Sequence, residues 1–355
     1  MRSILFLLIP TAVFAQDSRL QWIDAKLLTI EGQAWNDTES PWDRFPAKAK
    51  SMVRPAVWSL SQRSAGICIR FRTRATAIHA KWNLTSSNLD MPHMPSTGVS
   101  GVDLYARDKQ NRWRWVANGR PAAKENNVKL VSGLTAQSRE FMLYLPLYNG
   151  VTSVEIAGKG DAIHPSEPRA RKPIVFYGTS ITQGGCASRP GMVHTAILGR
   201  WLDVPIVNLG FSGNGRMEAA VGKLMSEIDA SVYVIDCLPN ITAAQVTERT
   251  FELVKKLRAA KPGVPIVLVE DRDYTDSVFV PVKAKRNQAS QAALKVEFQK
   301  LKAAGVKNLH YIEGKDLLGD DGEGTVDSSH PTDLGFMRQA RVFHSLLEPL
   351  LSEQR

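Results

Sequence analysis

Two loops of this chain have the residue types and the spacing for acyl transfer. The first, Gly178-Thr179-Ser180-Ile181-Thr182-Gln183-Gly184-Gly185, follows the β-branched run Ile174-Val175-Phe176-Tyr177. A serine on a tight strand-to-helix turn exposes its hydroxyl near the positive end of a helix, which suits a nucleophile. The second loop, Asp327-Ser328-Ser329-His330-Pro331-Thr332, lies near the C-terminus. A hydroxyl needs a base to take its proton, and the base needs an acceptor that fixes its tautomer and stabilises the imidazolium. An aspartate and a histidine three apart supply both. Taken singly, Ser180 and Asp327 read as turn or helix caps and His330 as a surface residue. Taken together, they read as nucleophile, orienting acid and base. Thr182 occupies the last position of what would be Gly-x-Ser-x-Gly, which argues against the α/β-hydrolase elbow.

Ester hydrolysis also needs donors aimed at the developing oxyanion. Asn208-Leu209-Gly210-Phe211-Ser212-Gly213-Asn214-Gly215 and Asp236-Cys237-Leu238-Pro239-Asn240 each follow a short apolar run. The Gly213 N–H and the Asn240 side-chain amide, with the Ser180 N–H, would make a three-donor oxyanion hole. The acidic run Glu270-Asp271-Arg272-Asp273 also follows such a run and points to the same edge. Adjacent acids make poor facial ligands and no histidine-rich partner accompanies them, so neither a catalytic metal nor a cofactor is expected.

These loops need a frame to bring them together. From Ile174 onward, five β-branched runs (174–177, 206–209, 232–235, 266–269 and 309–312) alternate with helical stretches near 192–202, 216–228, 242–260, 284–304 and 333–350. Strand then helix, repeated, predicts a parallel sheet covered on both faces, with the site outside the carboxyl ends of the strands. The earlier half alternates with period two. In Ile67 to Arg74, the apolar Ile67, Ile69 and Phe71 face one way and Arg70, Arg72 and Arg74 the other, which predicts a wet basic face. Several such runs without a long helix predict a β-sandwich.

Length agrees with two domains, since 355 residues at roughly 150 per domain make two units. Met1-Arg2, the apolar stretch Ile4–Phe14 and the small residues before Gln16 predict a cleaved export signal over residues 1–15. The β-domain is then expected over 16–162, a proline-rich linker over 163–172 and the α/β domain over 173–355. With 43% hydrophobic and 23% charged residues the chain can build packed cores, which excludes disordered classes. No apolar run after the signal reaches the ~18 residues of a membrane span.

At the level of whole motifs, the order Gly-x-Ser, Ser-Gly, Pro-Asn and Asp-x-x-His-Pro resembles the SGNH (GDSL-type) hydrolases. Their four name-giving residues would be Ser180, Gly213, Asn240 and His330, with Asp327 completing the triad. Gly101-Val102-Asp103-Leu104-Tyr105 resembles the Gly-x-Asp-Leu-Tyr β-domain that accompanies a subset of these esterases. The resemblance implies a three-layer, flavodoxin-like α/β domain with a five-stranded parallel sheet of order 2-1-3-4-5, preceded by a jelly-roll-like β-sandwich. It implies an exported esterase, and relatives of this kind remove acetyl groups from polysaccharides. There are departures: Gly-Thr-Ser stands for Gly-Asp-Ser, and Asn240-Ile241 for Asn-Asp.

Given that sheet order, Cys186 and Cys237 lie on neighbouring loops, as a disulfide or as two buried thiols, with Cys68 apart. The loop from Ser86 to Gly101 is long enough to reach the cleft, which makes His93 a candidate substrate contact; the plainer alternative is a loop on the interdomain seam. Arg189, just past the nucleophile, is a second candidate, or else a surface residue. Three Asn-x-Thr sequons begin at Asn36, Asn83 and Asn240. Sugar on Asn240 would block the oxyanion hole, which fits a bacterial host. The net charge of +10 leans toward the first half. That excess fits an acidic glycan better than nucleic acid, for which no motif is present. The reading is an exported serine esterase for short acyl, chiefly acetyl, esters on an ester-bearing carbohydrate or small molecule. The alternatives are a lipase or thioesterase for longer chains, and an inactive carbohydrate-binding protein whose β-domain tryptophans stack on sugars.

Overall fold

The structure, a computed structural model, describes residues 20–353. The expected export signal lies outside them. Strands β1 (Ile174–Gly178), β2 (Ile206–Gly210), β3 (Val232–Asp236), β4 (Ile266–Val269) and β5 (Leu309–Ile312) form one parallel sheet in the order β2-β1-β3-β4-β5. β1 to β4 are buried on both faces because helices cover both, while the edge strand β5 is only half-buried. Val175, Tyr177, Tyr233, Ile235 and Leu268 pack toward α3 (Ala219–Met225), α4 (Ala243–Ala260) and α5 (Pro281–Ala303). The alternate residues Ile174, Phe176, Val232, Val234 and Val267 pack toward α2 (His194–Trp201) and α6 (Asp333–Ser352). The single-turn α1 (Ser180–Gln183) follows β1 directly. Helix α5 begins earlier than the sequence periodicity suggests because Pro281 sits in its first turn, where a missing N–H costs nothing. None of the described helices is long and apolar enough to cross a membrane.

The first half is an antiparallel sandwich. One sheet runs Gln21–Asp24, Val151–Lys159, Ala77–Leu84 and Glu125–Ser132. The other runs His164–Pro165, Cys68–Thr73, Arg139–Tyr144, Val102–Arg107 and Trp113–Gly119, with Thr29–Glu31 paired to Cys68–Thr73. Ile67, Ile69 and Phe71 enter the core between the sheets, with Trp82, Leu104 and Phe141.

The opposite face of the second sheet is not wet as the alternation suggested. Cys68, Tyr105, Met142 and Tyr144 pack there against Ala196 of α2. Arg70, expected in solvent, is buried and pairs with Glu31 at 2.6 Å and with Glu140, while Arg72 and Arg74 stay exposed. A guanidinium under a second domain has lost water and survives only with carboxylates around it.

Phe45, Ala49, Val53, Val57 and Trp58 leave the sandwich and join the core beside α3 and α4, partly on a short helix, Pro55–Ser61. This excursion also covers the edge strand β2. Arg44, 1% exposed, donates to the Asn208 and Gly210 carbonyls at 2.9 and 2.8 Å and to those of Arg63 and Leu60 at 2.8 and 2.7 Å. An unpaired sheet edge is thereby closed by one side chain. Arg44→Met would leave two buried and two half-buried carbonyls without these donors, so denaturant unfolding should register a loss on the order of 3–5 kcal/mol. A loss under about 1 kcal/mol would mean that the edge is satisfied without Arg44.

Candidate active site

The carboxyl ends of β1, β2 and β3 lie side by side, which brings three loops together. Thr179 caps α1, its hydroxyl accepting from the Ile181 N–H at 3.2 Å, so Ser180 is the first helical residue. Ser180 Oγ lies 2.7 Å from His330 Nε2. On the far side of the ring, His330 Nδ1 lies 2.7 Å from Asp327 Oδ2. The other Asp327 oxygen accepts from the backbone N–H groups of His330 at 2.7 Å and Ser329 at 3.1 Å. Burial works to raise the Asp327 pKa, but these amides and the imidazole outweigh it and hold the carboxyl below its ordinary value. It is thus an ionised acceptor that keeps Nδ1 as the donor and leaves Nε2 free to take a proton from Ser180.

Gly213 has φ +68° and open space where a Cβ would stand, so glycine is needed there for the left-handed backbone. Gly215 is needed for close approach, because a Cβ would lie 1.8 Å from the Gly178 carbonyl oxygen. The Asn240 side-chain oxygen accepts from the Asn214 and Gly215 N–H groups at 3.1 and 3.2 Å with the amide oriented to match those donors. That orientation turns Nδ2 away from them as a donor and ties the β3 loop to the β2 loop.

Beyond the His93 loop, two residues that sequence reasoning overlooked tie the β-domain to this site. Tyr148, in the loop after the strand Arg139–Tyr144, donates from its hydroxyl to the Ser180 carbonyl at 3.3 Å. Gln183 donates to the Leu147 carbonyl at 3.1 Å and accepts from the Ser212 N–H at 3.0 Å, linking both domains to the Gly213 loop. Neither residue carried a motif. His93 is exposed, its ring centroid 6.0 Å from that of His330. The loop carrying it is pinned to the nucleophile side where Thr97 donates to the Ser188 carbonyl at 2.6 Å.

Arg189 is placed otherwise than expected. Its guanidinium pairs with Asp103 at 2.7 Å, donates to the Tyr105 hydroxyl and stacks over Trp115, which makes it a clamp between domains. Asp103 needs that cation because it is fully buried. The acidic run after β4 is likewise committed: Arg272 pairs with both Asp236 oxygens and Asp271 with Arg286. The three cysteines are free and buried, so Cys186 and Cys237 are thiols. Burial pushes the Cys186 thiol up to about 12, with the nearby Asp327 charge adding to it.

Residues 171–348 match the GDSL-like lipase/acylhydrolase family, and residues 20–163 match the N-terminus of the SGNH-hydrolase-type esterases. No curated sequence matches the chain. Among solved structures, a Bacteroides ovatus protein described as a GDSL-like lipase is 32% identical, covers 94% of this chain and 98% of its own, and superposes with a TM-score of 0.90. A salicylyl-acyltransferase of a tetracycline biosynthetic pathway, SsfX3, is 17% identical with TM-score 0.74, covering 93% and 97%. An acetyl xylan esterase of the rumen bacterium Butyrivibrio proteoclasticus is 10% identical with TM-score 0.57, covering 94% and 99%. Across both domains, then, this chain belongs to the GDSL-like lipase/acylhydrolase family of SGNH-type hydrolases.

Proposed function

We propose that the protein is an exported serine esterase that removes short acyl groups, chiefly acetyl, from a carbohydrate. The observation that carries this reading is the continuous Ser180–His330–Asp327 chain, with 2.7 Å at each link. The acetyl xylan esterase among the structural neighbours supports the substrate class. Export rests on the basic, apolar and small-residue order of residues 1–15.

In this mechanism His330 Nε2 takes the Ser180 proton as Oγ bonds to the ester carbonyl carbon. The carbonyl oxygen becomes an oxyanion held by the Ser180 and Gly213 N–H groups and Asn240 Nδ2. Collapse breaks the ester bond, and the departing sugar hydroxyl receives the proton from His330. Water then attacks the acyl-serine through the same imidazole and releases the acid. Tyr148 holds the Ser180 carbonyl, and in this reading His93, its ring 6.0 Å from that of His330, would meet the sugar.

One observation favours longer or aromatic acyl groups instead. Val278, Phe279 and Val282 are 78%, 85% and 71% exposed on the segment between β4 and the body of α5. That segment is tied to the His330 loop: the Thr275 N–H donates to the Ser328 carbonyl at 3.1 Å and Lys283 donates to the Ser328 hydroxyl at 2.7 Å. Turnover of nitrophenyl esters should fall as the acyl chain lengthens from acetyl, and acetylated polysaccharide should release acetate. A rise with chain length that is lost in Phe279→Ser would establish the apolar rim as the acyl site.

Ser180→Ala should lower kcat by 10⁴-fold or more, and Asp327→Asn by on the order of 10³–10⁴-fold through the wrong tautomer. Asn240→Ala should lower it by about 10²–10³-fold with KM little changed. Equal rates for wild type and Ser180→Ala would remove the mechanism. His93→Ala should raise KM for acetylated oligosaccharide several-fold and leave nitrophenyl acetate turnover alone; unchanged kinetics on both would take His93 out of the pocket.

A further inference from the structure

A second cleft, of about 690 Å³, opens between the β-domain and the α/β domain. None of the residues lining it belongs to the Ser180–His330–Asp327 chain. Its walls carry five arginines, Arg107, Arg112, Arg114, Arg189 and Arg200, together with Trp113, Trp201 and Tyr105. The guanidinium groups and rings alternate: Arg107 lies 4.4 Å from the Trp113 centroid, Arg200 4.0 Å from that of Tyr105, and Arg189 5.1 Å from that of Trp115.

The charge there is incompletely balanced. Arg112 and Arg114 share one carboxylate, Asp108, at 3.0 and 2.9 Å. Among the described residues no carboxylate pairs with Arg200, whose Nη2 donates to the Gly191 carbonyl at 2.7 Å and whose buried Nη1 has no partner. A cation in a low-dielectric wall projects its field into the adjoining cleft. Arg114 uses only Nε on Asp108, and its side chain is 58% exposed. Trp115 and Trp201 are 50% and 43% exposed, Trp115 lying under the Arg189 guanidinium and Trp201 in the wall that also carries Arg112 and Arg114.

We propose that this cleft binds an anionic saccharide, specifically a uronic acid unit of a polysaccharide. A sugar ring has an apolar C–H face that lies against indole, and its carboxylate fits the planar fork of a guanidinium, as Asp108 already does between Arg112 and Arg114. The site would hold a stretch of chain while another stretch lies at Ser180. The choice of a saccharide rests on the esterase reading, but binding is measured without turnover.

The test is calorimetric titration of a short oligogalacturonate into full-length Ser180→Ala protein. Binding should weaken with salt, and a neutral xylo-oligosaccharide should bind at least tenfold more weakly. The added double change Arg114→Ala and Trp201→Ala should weaken oligogalacturonate binding at least tenfold. In the otherwise wild-type chain that double change should leave nitrophenyl acetate turnover unchanged, which also reports that the protein is folded. Equal binding of the neutral sugar, unchanged affinity in the double variant, or no binding would each overturn the proposal. Equal binding of a sulfated oligosaccharide would overturn the carboxylate assignment. Failure of the esterase reading would instead appear as absent turnover in the wild-type chain.

Discussion

At the carboxyl edge of the parallel sheet, one buried ion pair joins four pieces of chain that the active site needs in fixed relation. Asp236 ends β3, and both its oxygens accept from Arg272, which follows β4. The same guanidinium donates to Gln339 of α6 at 3.1 and 2.7 Å, and Thr182 of α1 donates to Asp236 at 3.3 Å. Both charged residues are at most 2% exposed. A buried pair of this kind adds little net stability, because desolvation offsets much of the attraction, yet losing either partner leaves an unpaired charge and costs about 3–5 kcal/mol. Its use here is positional. It joins the helix that carries Ser180, the strand that leads to Asn240 and the helix that follows His330.

A comparable pair fastens the two domains. Asp103, the acid of Gly-x-Asp-Leu-Tyr, accepts from Arg189 at 2.7 Å, from the Gly191 N–H at 2.9 Å and from Trp115 Nε1 at 2.8 Å. Burial pushes its carboxyl up, and those three donors work against that. Because Arg189 and Gly191 lie just past the nucleophile, the β-domain grips the Ser180 loop directly. This is why Tyr148 and His93, both from the first half, stand at the site of the second.

The parallel sheet was legible in local pattern and its strand order followed from the family resemblance, while the two loop motifs pointed to Ser180, Asp327 and His330, which the fold brings into contact. β-branched runs mark strands buried on both faces, and the candidate site residues fall in the loops after them. What escaped depends on which surfaces meet. Arg70 obeys the period-two alternation, yet its face is covered by α2, so a pattern that signals solvent signals a domain interface. Arg189 could not be told from a substrate contact while its partner lay 86 residues earlier. Tyr148, Gln183 and Arg44 act through backbone carbonyls brought near by tertiary structure, and no spacing encodes that.

The Asp327 loop shows how little long-range order the link between Asp327 and His330 requires. An aspartate whose side chain is 43% exposed ionises readily but is easily misdirected. Two backbone N–H groups from its own loop hold one oxygen, and the left-handed Ser328 at φ +71° turns the chain so that His330 returns over the other. Acceptor and base are therefore set within four residues, in a loop braced from outside where Thr275 and Lys283 donate to Ser328. Only the 2.7 Å contact between His330 and Ser180 spans 150 residues. That contact is fixed by the sheet and by the ion pair at its edge, so the distance from Ser180 to His330 rests on the α/β frame as the distance from His330 to Asp327 rests chiefly on their shared loop.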